Sequence, residues 1–201
     1  MLRSFHKYLS LAISIQLLLW TVSGIFFAFN KIELIRGEQY LVSQQTSEVD
    51  LSNLTNTFNA KRIEILQRLD ILIVKVEGES GTYYTDKNGI KLKYLNEEEA
   101  KQIVRNKTSL IPIEATKIEN PARASEFRGR SLPLFKVTTQ SKDHVNVYVN
   151  AVSGEISAIR SNAWRTWDFL WGAHIIDYAE SNTDYSKQTY QFWKLLINNE
   201  K

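Results

Sequence analysis

The segment from Tyr8 to Phe29 constrains this chain most, because its 22 residues carry no formal charge. A helix needs about 20 apolar residues to cross a hydrocarbon core of roughly 30 Å, so the segment predicts one transmembrane helix. Small residues such as Ser23 and Gly24 allow another helix to pack closely against it. Gln16 is harder to place against lipid, and it indicates either a partner helix or a locally satisfied polar side chain.

The flanks of this segment predict its orientation. Arg3, Lys7 and the α-amino group precede it, whereas the charges between Lys31 and Glu38 cancel. The positive-inside rule then places the N-terminus in the cytoplasm and residues 31–201 outside it, in the periplasm of a bacterium. The apolar run is too long for a cleaved signal peptide, and no clear small-x-small site follows it. A single-pass signal anchor in a bacterial inner membrane is therefore expected.

Composition excludes several classes of function. The chain has no Cys, which excludes disulfides, thiolate catalysis, iron–sulfur clusters and Cys-based zinc sites. A net charge of +3 without a long basic run argues against a nucleic-acid partner. The sequence also lacks the HExxH, P-loop, GxSxG and GxGxxG motifs. A non-enzymatic protein is the expectation.

The part of the chain after the membrane segment predicts helices that alternate with antiparallel strands, an α+β fold. A helix is predicted over 96–107, where Asn96 caps a run of three Glu and basic residues follow at the other end. A weaker helix is predicted over 50–60 from its apolar spacing. Strands are predicted at 61–66, 71–77, 134–139, 144–150 and 155–160.

Two hairpins in this region indicate an internal repeat. The stretch TYYTDKNGIKLKYL predicts a hairpin with strands on both sides of an Asn88-Gly89 turn. It aligns with the later hairpin through Tyr84-x-Asp86…Gly89 and Tyr148-x-Asn150…Gly154. In HVNVYVNA, the three Val are expected on one face of the strand and Asn146, Tyr148 and Asn150 on the other.

The later hairpin resembles a known family. An acidic helix, an FKVxx strand and then VYVNAxSGEI are similar to the PepSY domain, with Asn150 and Ser153 where the family usually has Asp and Thr. The resemblance is good over 96–160 and degenerate over 50–95. FHKYLSLAISIQLLLWTVSGIFFAF is similar to the first helix of PepSY-associated transmembrane proteins, and WRTWDFLWGAHIIDY resembles the segment before their next membrane helix. Because QFWKLLIN is too short to span a bilayer, the chain resembles a shortened, single-pass relative.

The resemblance also implies haem as a candidate cofactor, because some PepSY-associated membrane proteins are similar to haem-binding ferric-siderophore reductases. Low-spin haem takes two axial ligands, and His6 and His174 are the candidates. The expected topology separates these residues by a bilayer, so each would need a partner subunit's His. The alternatives are an interfacial flank residue for His6 and a structural interface residue for His174.

An aromatic stripe precedes the end of the chain. On a helix, Trp164, Trp167, Trp171, His174 and Tyr178 share one face. Trp and Tyr favour the membrane–water interface, so such a helix could lie on the bilayer. The alternative is packing against the soluble core.

These observations predict four segments. They are a cytoplasmic N-terminus with a membrane anchor (1–30), a degenerate PepSY-like repeat (31–95), a second repeat (96–161), and an aromatic membrane-proximal helix with a tail (162–201). The expected function is an accessory or assembly subunit of a larger membrane complex in iron uptake or respiratory electron transfer. The alternatives are a haem-ligating electron-transfer subunit and a periplasmic peptidase modulator. The lipid bilayer and a membrane protein are the expected partners, and no resident cofactor is expected unless haem binds.

Overall fold

A computed structural model describes residues 2–43, 60–79, 81–122 and 125–175. The described residues form two compact units. The helical unit contains those of Met1–Lys31, Ala122–Gly129 and Arg165–Lys201, and the sheet unit contains those of Ile32–Pro121 and Arg130–Trp164. The predicted helix at 50–60 falls almost entirely outside the described residues.

The helical unit begins with α1, Leu2–Phe29, which contains the predicted apolar span. Three of its hydroxyl groups are satisfied within the helix, because Ser14, Thr21 and Ser23 each donate to the carbonyl four residues earlier. Most of its large apolar side chains are exposed. Within the described part of the chain, Arg3–Phe29 is the one helix long and apolar enough to cross a membrane.

The sheet unit begins with a short segment that the sequence did not reveal. Helix α2, Ile32–Arg36, is followed by a 3₁₀ turn at Glu38–Tyr40. Gly37 between them has a φ of 82°, and a Cβ there would lie 2.6 Å from Cγ2 of Ile159. Only glycine allows both this backbone conformation and this approach, so Gly37 sets how closely the segment packs on the strand that carries Ile159.

The first sheet is an antiparallel meander of β1 (Arg62–Arg68), β2 (Ile71–Gly78) and β3 (Gly81–Asp86), in that order. The two predicted strands at 61–66 and 71–77 correspond to β1 and β2. The apolar centre of β2 is fully buried at Ile73, Val74 and Val76.

The predicted hairpin around Asn88-Gly89 is only half correct. The turn forms, because Oδ1 of Asp86 accepts from the backbone N–H groups of Asn88 and Ile90. The second arm is not a strand, since one isolated bridge between Thr85 and Lys91 is its only pairing among the described residues. The chain leaves this sheet because the N–H of Leu95 bonds to the carbonyl of Ala151, at a distance of 2.7 Å, and a capped helix follows directly.

That helix is α3, Glu97–Lys107, and its prediction is confirmed. The Asn96 side chain accepts from the N–H of Glu99, and the Glu99 carboxylate accepts from the N–H of Asn96, which completes a capping box. The buried stripe of α3 consists of Ala100, Ile103 and Val104, as its spacing predicts.

Helix α3 packs on a second antiparallel sheet in the order β4-β5-β6-β7. Strands β5 (Leu134–Thr139), β6 (Asn146–Asn150) and β7 (Ile156–Arg160) match the predicted strands closely, whereas β4 (Pro112–Ile118) was missed. The three Val of HVNVYVNA are buried as expected, but Tyr148, which was placed on the opposite face, is also buried. The strand therefore has little exposed surface on either face.

Arg68, at the end of β1, connects the two sheets. Its Nη1 donates to the carbonyl of Lys93, at 2.9 Å, and to the carbonyl of Val152, at 2.7 Å. The Asn150 side chain holds the adjacent turn, because its Oδ1 accepts from the N–H groups of Val152 and Ser153. The residue is only 6% exposed, and this burial lowers the pKa of the Arg68 guanidinium.

Candidate functional site

The candidate site is the aromatic junction, the cluster formed by Trp20, Ser23 and Phe27 of α1 and by Trp167, Trp171 and His174 of α4. Helix α4 runs over Asn162–Ile175, and its residues from Arg165 onward belong to the helical unit. All six residues of the junction therefore lie in one compact unit.

Phe27 is at the centre of the aromatic contacts. Its ring centroid lies 5.4 Å from that of Trp167, 6.0 Å from that of Trp171 and 5.8 Å from that of His174. The two Trp rings stack on each other at 5.3 Å with an angle of 7° between their planes. Such pairs contribute about 0.5–1.5 kcal/mol each beyond the area they bury, so the cluster is a strong local contact.

A buried hydrogen bond joins the same two helices. Nδ1 of His174 lies 2.7 Å from Oγ of Ser23, whose side chain is almost fully buried. The Ser23 hydroxyl also lies 2.7 Å from the carbonyl oxygen of Leu19. A carbonyl only accepts, so the hydroxyl hydrogen points to Leu19 and the ring N–H of Nδ1 donates to Ser23. In the neutral imidazole this leaves Nε2 as the nitrogen with the free electron pair.

A second hydrogen bond connects α1 to the backbone of α4. Nε1 of Trp20 donates to the carbonyl oxygen of His174 at 2.7 Å. The last four carbonyl groups of a helix have no partner within that helix. Trp20 therefore satisfies one of the backbone groups near the end of α4.

Other residues of α4 form ion pairs with the loop at 125–129. Nε of Arg165 donates to a carboxylate oxygen of Glu126 at 2.6 Å, and Arg128 pairs with Asp168. All four side chains are partly buried. The acidic partner of Arg128 therefore lies within the same chain.

The remaining predicted site residues lie apart from the junction. His6 is exposed on α1, about 25 Å along the helix axis from Ser23. Gly24 is exposed, and a Cβ there would meet open space. Nε2 of Gln16 is buried and has no hydrogen-bond partner. Tyr178 lies outside the described residues.

Trp164 does not share the surroundings of the other stripe residues. Its ring lies in the sheet unit, with the guanidinium carbon of Arg160 4.2 Å above its centroid, and it is 9% exposed. Trp167, Trp171 and His174 instead pack on α1 of their own chain. Ser23, which was expected to contact a partner helix, uses its hydroxyl to bind His174.

The junction has little of what nucleophilic catalysis needs. A Ser and a His at hydrogen-bond distance are the first two members of a catalytic dyad. Here the Ser23 hydroxyl donates to its own helix instead of to the ring, and its side chain is 1% exposed. Among residues 2–43, 60–79, 81–122 and 125–175, no group of three His, Asp or Glu side chains could hold a metal ion. The arrangement is suited to joining two helices.

Comparison with known proteins finds no matching family model, no matching curated protein and no matching solved structure.

The Ser23–His174 pair is the feature that sequence reasoning missed. The signal was present in the spacing, because residues 20, 23 and 27 and residues 167, 171 and 174 both recur at intervals of three and four. Each set forms one helical face, but nothing in the spacing shows that the two faces meet.

Proposed function

We propose that this protein is a membrane-anchored, non-enzymatic accessory subunit that docks on a larger membrane protein. The observation that carries the proposal is the exposure of α1. This helix is long and apolar enough to span a bilayer, yet only 6% of its apolar 18-residue stretch is buried within the chain. A surface of this kind is not stable in water, so lipid or another protein must cover it.

One face of α1 is suited to another helix. Ser10, Ser14, Leu17, Thr21, Gly24 and Ala28 recur at intervals of four and three and are all exposed. All of them except Leu17 have small side chains, and the six together are named the small-residue seam. Close approach of helices in membranes depends on small side chains, because van der Waals packing drives the association there. The Ser14 and Thr21 hydroxyls already bond to their own helix, so they cost little in an apolar interface.

Gln16 adds a polar requirement to the same helix. Its amide nitrogen has no partner, whereas the neighbouring hydroxyls of α1 do. An amide in hydrocarbon is stabilised by a hydrogen bond to another helix, a contribution of about 1 kcal/mol. Because this nitrogen is buried and Gln16 lies four residues before Trp20, an acceptor for it would lie on the face of α1 that carries the aromatic junction, not on the small-residue seam.

The proposed location is a bacterial inner membrane, with the N-terminus in the cytoplasm and the sheet unit in the periplasm. The basic residues before α1 support this orientation. We also infer a relationship to PepSY proteins. The similar Asx turns at Asp86 and Asn150, each at the end of a strand of an antiparallel sheet, support this inference.

Affinity purification from native membranes in mild detergent tests the docking proposal. A membrane protein should co-purify with the full chain, and Gly24→Leu should reduce its yield severalfold because the added side chain separates the helices. Val22→Leu is the matched control, since it adds bulk on the opposite side of α1, where it should have no effect. Equal recovery of the partner with both variants, or no partner at all, would refute the proposal.

A haem-ligating subunit is the second candidate, and the hydrogen bond of His174 favours it. Histidine ligands usually donate their second ring N–H to an acceptor, as Nδ1 of His174 does to Ser23. His174 would hold the iron through Nε2, and haem would then supply electron transfer. Because His6 lies about 25 Å away along α1, the second axial ligand would come from another subunit. A Soret band that is present in the purified protein and lost in His174→Ala would support this candidate.

A further inference from the structure

We infer that α4 enters the outer leaflet of the membrane alongside α1, antiparallel to it, and presents Phe169 and Trp171 to lipid acyl chains. The inference rests on the proposed membrane anchoring by α1. It differs from the sequence-based expectation of a helix that lies flat on the bilayer surface.

The order of contacts gives the direction of α4. Phe27 contacts Trp167, Trp171 and His174, whereas Ser23 and Trp20 bond to His174. As α4 advances along the chain, its partners on α1 therefore extend back toward the N-terminus. The side-chain contacts cover about 10 Å along each helix axis, in the order expected of two helices that run in opposite directions.

The position of these contacts on α1 gives the depth. Helix α1 ends at Phe29, and the polar residues Asn30 and Lys31 follow. Ser23 lies about 9 Å and Trp20 about 13 Å before that end along the helix axis. With a hydrocarbon core of roughly 30 Å, both positions lie in the leaflet near the C-terminal end of α1. His174, which bonds to both residues, reaches the same depth.

The polar groups of the junction are paired as a membrane environment requires. In hydrocarbon an unsatisfied backbone carbonyl costs several kcal/mol, whereas at a helix end in water the solvent satisfies it. Trp20 donates to the carbonyl of His174, and the ring N–H of His174 donates to Ser23. The charged residues Arg165 and Asp168, which lie earlier in α4, are each paired with an opposite charge.

The exposed aromatic side chains of α4 identify the occupant. Phe169 is 63% exposed and Trp171 is 40% exposed. On α1, Val22 and Ile25 lie at the same depth and are similarly exposed. The lipid that covers α1 would therefore continue over Phe169 and Trp171. Acyl chains fit this surface because the exposed side chains are aromatic and carry no charge.

Single-cysteine labelling tests the inference, because the natural chain has no Cys and each variant carries one label. The full chain is reconstituted in phosphatidylethanolamine and phosphatidylglycerol vesicles, and a nitroxide is attached at Phe169→Cys. Collision rates with oxygen, which concentrates in lipid, and with a water-soluble nickel chelate are then measured. The label should collide with oxygen severalfold more than with nickel, as a label at Ile25→Cys should. Exposed Lys142→Cys is the aqueous reference and should show the reverse ratio.

The reference variants Ile25→Cys and Lys142→Cys distinguish a failure of this inference from a failure of the membrane-anchoring proposal. If the label at Ile25→Cys collides mainly with oxygen but the label at Phe169→Cys collides mainly with the nickel chelate, α4 does not enter the membrane. Only this inference is then overturned. If the label at Ile25→Cys also collides mainly with the nickel chelate, the anchoring proposal fails as well. Unchanged helical circular dichroism shows that each variant is folded.

Discussion

Replacing Arg68 with Ala removes the guanidinium that connects the two sheets. In the native chain this group donates to the carbonyls of Lys93 and Val152, and the residue is only 6% exposed. After the substitution both carbonyls, which are partly buried in these hydrogen bonds, lose this donor. The Arg68 side chain also packs against Gly154, where an added Cβ would lie 2.9 Å from its Cγ, so this packing is lost as well.

The expected loss of stability follows from these contacts. A hydrogen bond from a charged donor contributes about 1.5–3 kcal/mol, so the two bonds together contribute roughly 3–6 kcal/mol. The loss is reduced because burial of the native guanidinium, which also lowers its pKa, carries a desolvation cost of its own. We expect a net decrease of about 3 kcal/mol in the free energy of unfolding, or roughly a hundredfold in the folding equilibrium.

Arg62→Ala is the matched control, because Arg62 lies in the same strand but its side chain is 65% exposed and pairs with Glu64 at the surface. Exposed ion pairs of this kind contribute about 0–1 kcal/mol. Both variants are unfolded with urea as full chains in detergent micelles, and the loss of sheet signal is followed by circular dichroism. If Arg68→Ala lowers the midpoint no more than Arg62→Ala does, the argument that Arg68 connects the sheets is wrong.

Three further predictions concern other contacts. Gly154→Ala should lower the free energy of unfolding by at least about 1–2 kcal/mol, because φ is +70° and the new Cβ would lie 2.7 Å from a methyl group of Ile103; urea titration measures this. Ser23→Ala should lower the free energy of thermal unfolding by about 1 kcal/mol, because the contact with His174 is lost. Ser14→Ala affects only a bond within α1 and should leave that free energy nearly unchanged. Burial raises the pKa of the Tyr84 hydroxyl, so the folded state favours its neutral form. The free energy of unfolding should therefore fall as pH rises above about 10. In a series of urea midpoints measured at increasing pH, Tyr84→Phe should remove this part of the fall.

Local signals in the sequence were sufficient for the parts of the fold that depend on neighbouring residues. The Asn96 cap and the apolar stripe of α3 depend on residues within a few positions of one another, so spacing alone identified them. The strands after residue 133 alternate clearly or lie next to turn residues, and they too were predicted. Strand β4 was missed because it begins with Pro and mixes charged with apolar residues in a pattern that is not distinctive.

The remaining features depend on contacts between distant residues. The strand expected after Gly89 did not form, because Leu95 bonds to Ala151 on the other sheet. The two faces of the aromatic junction were each visible as a spacing, but their meeting depends on the path of the chain between them. Of the candidate site, the sequence therefore identified most of the residues and not their arrangement.

The hydrogen bond between Ser23 and His174 also has a consequence for biogenesis. It joins residues that are 151 positions apart. During synthesis α1 emerges long before α4 exists, and the strands between them fold mainly through local pairings. The junction is therefore among the last contacts of the chain to form, after α1 and the strands between the two helices have been made.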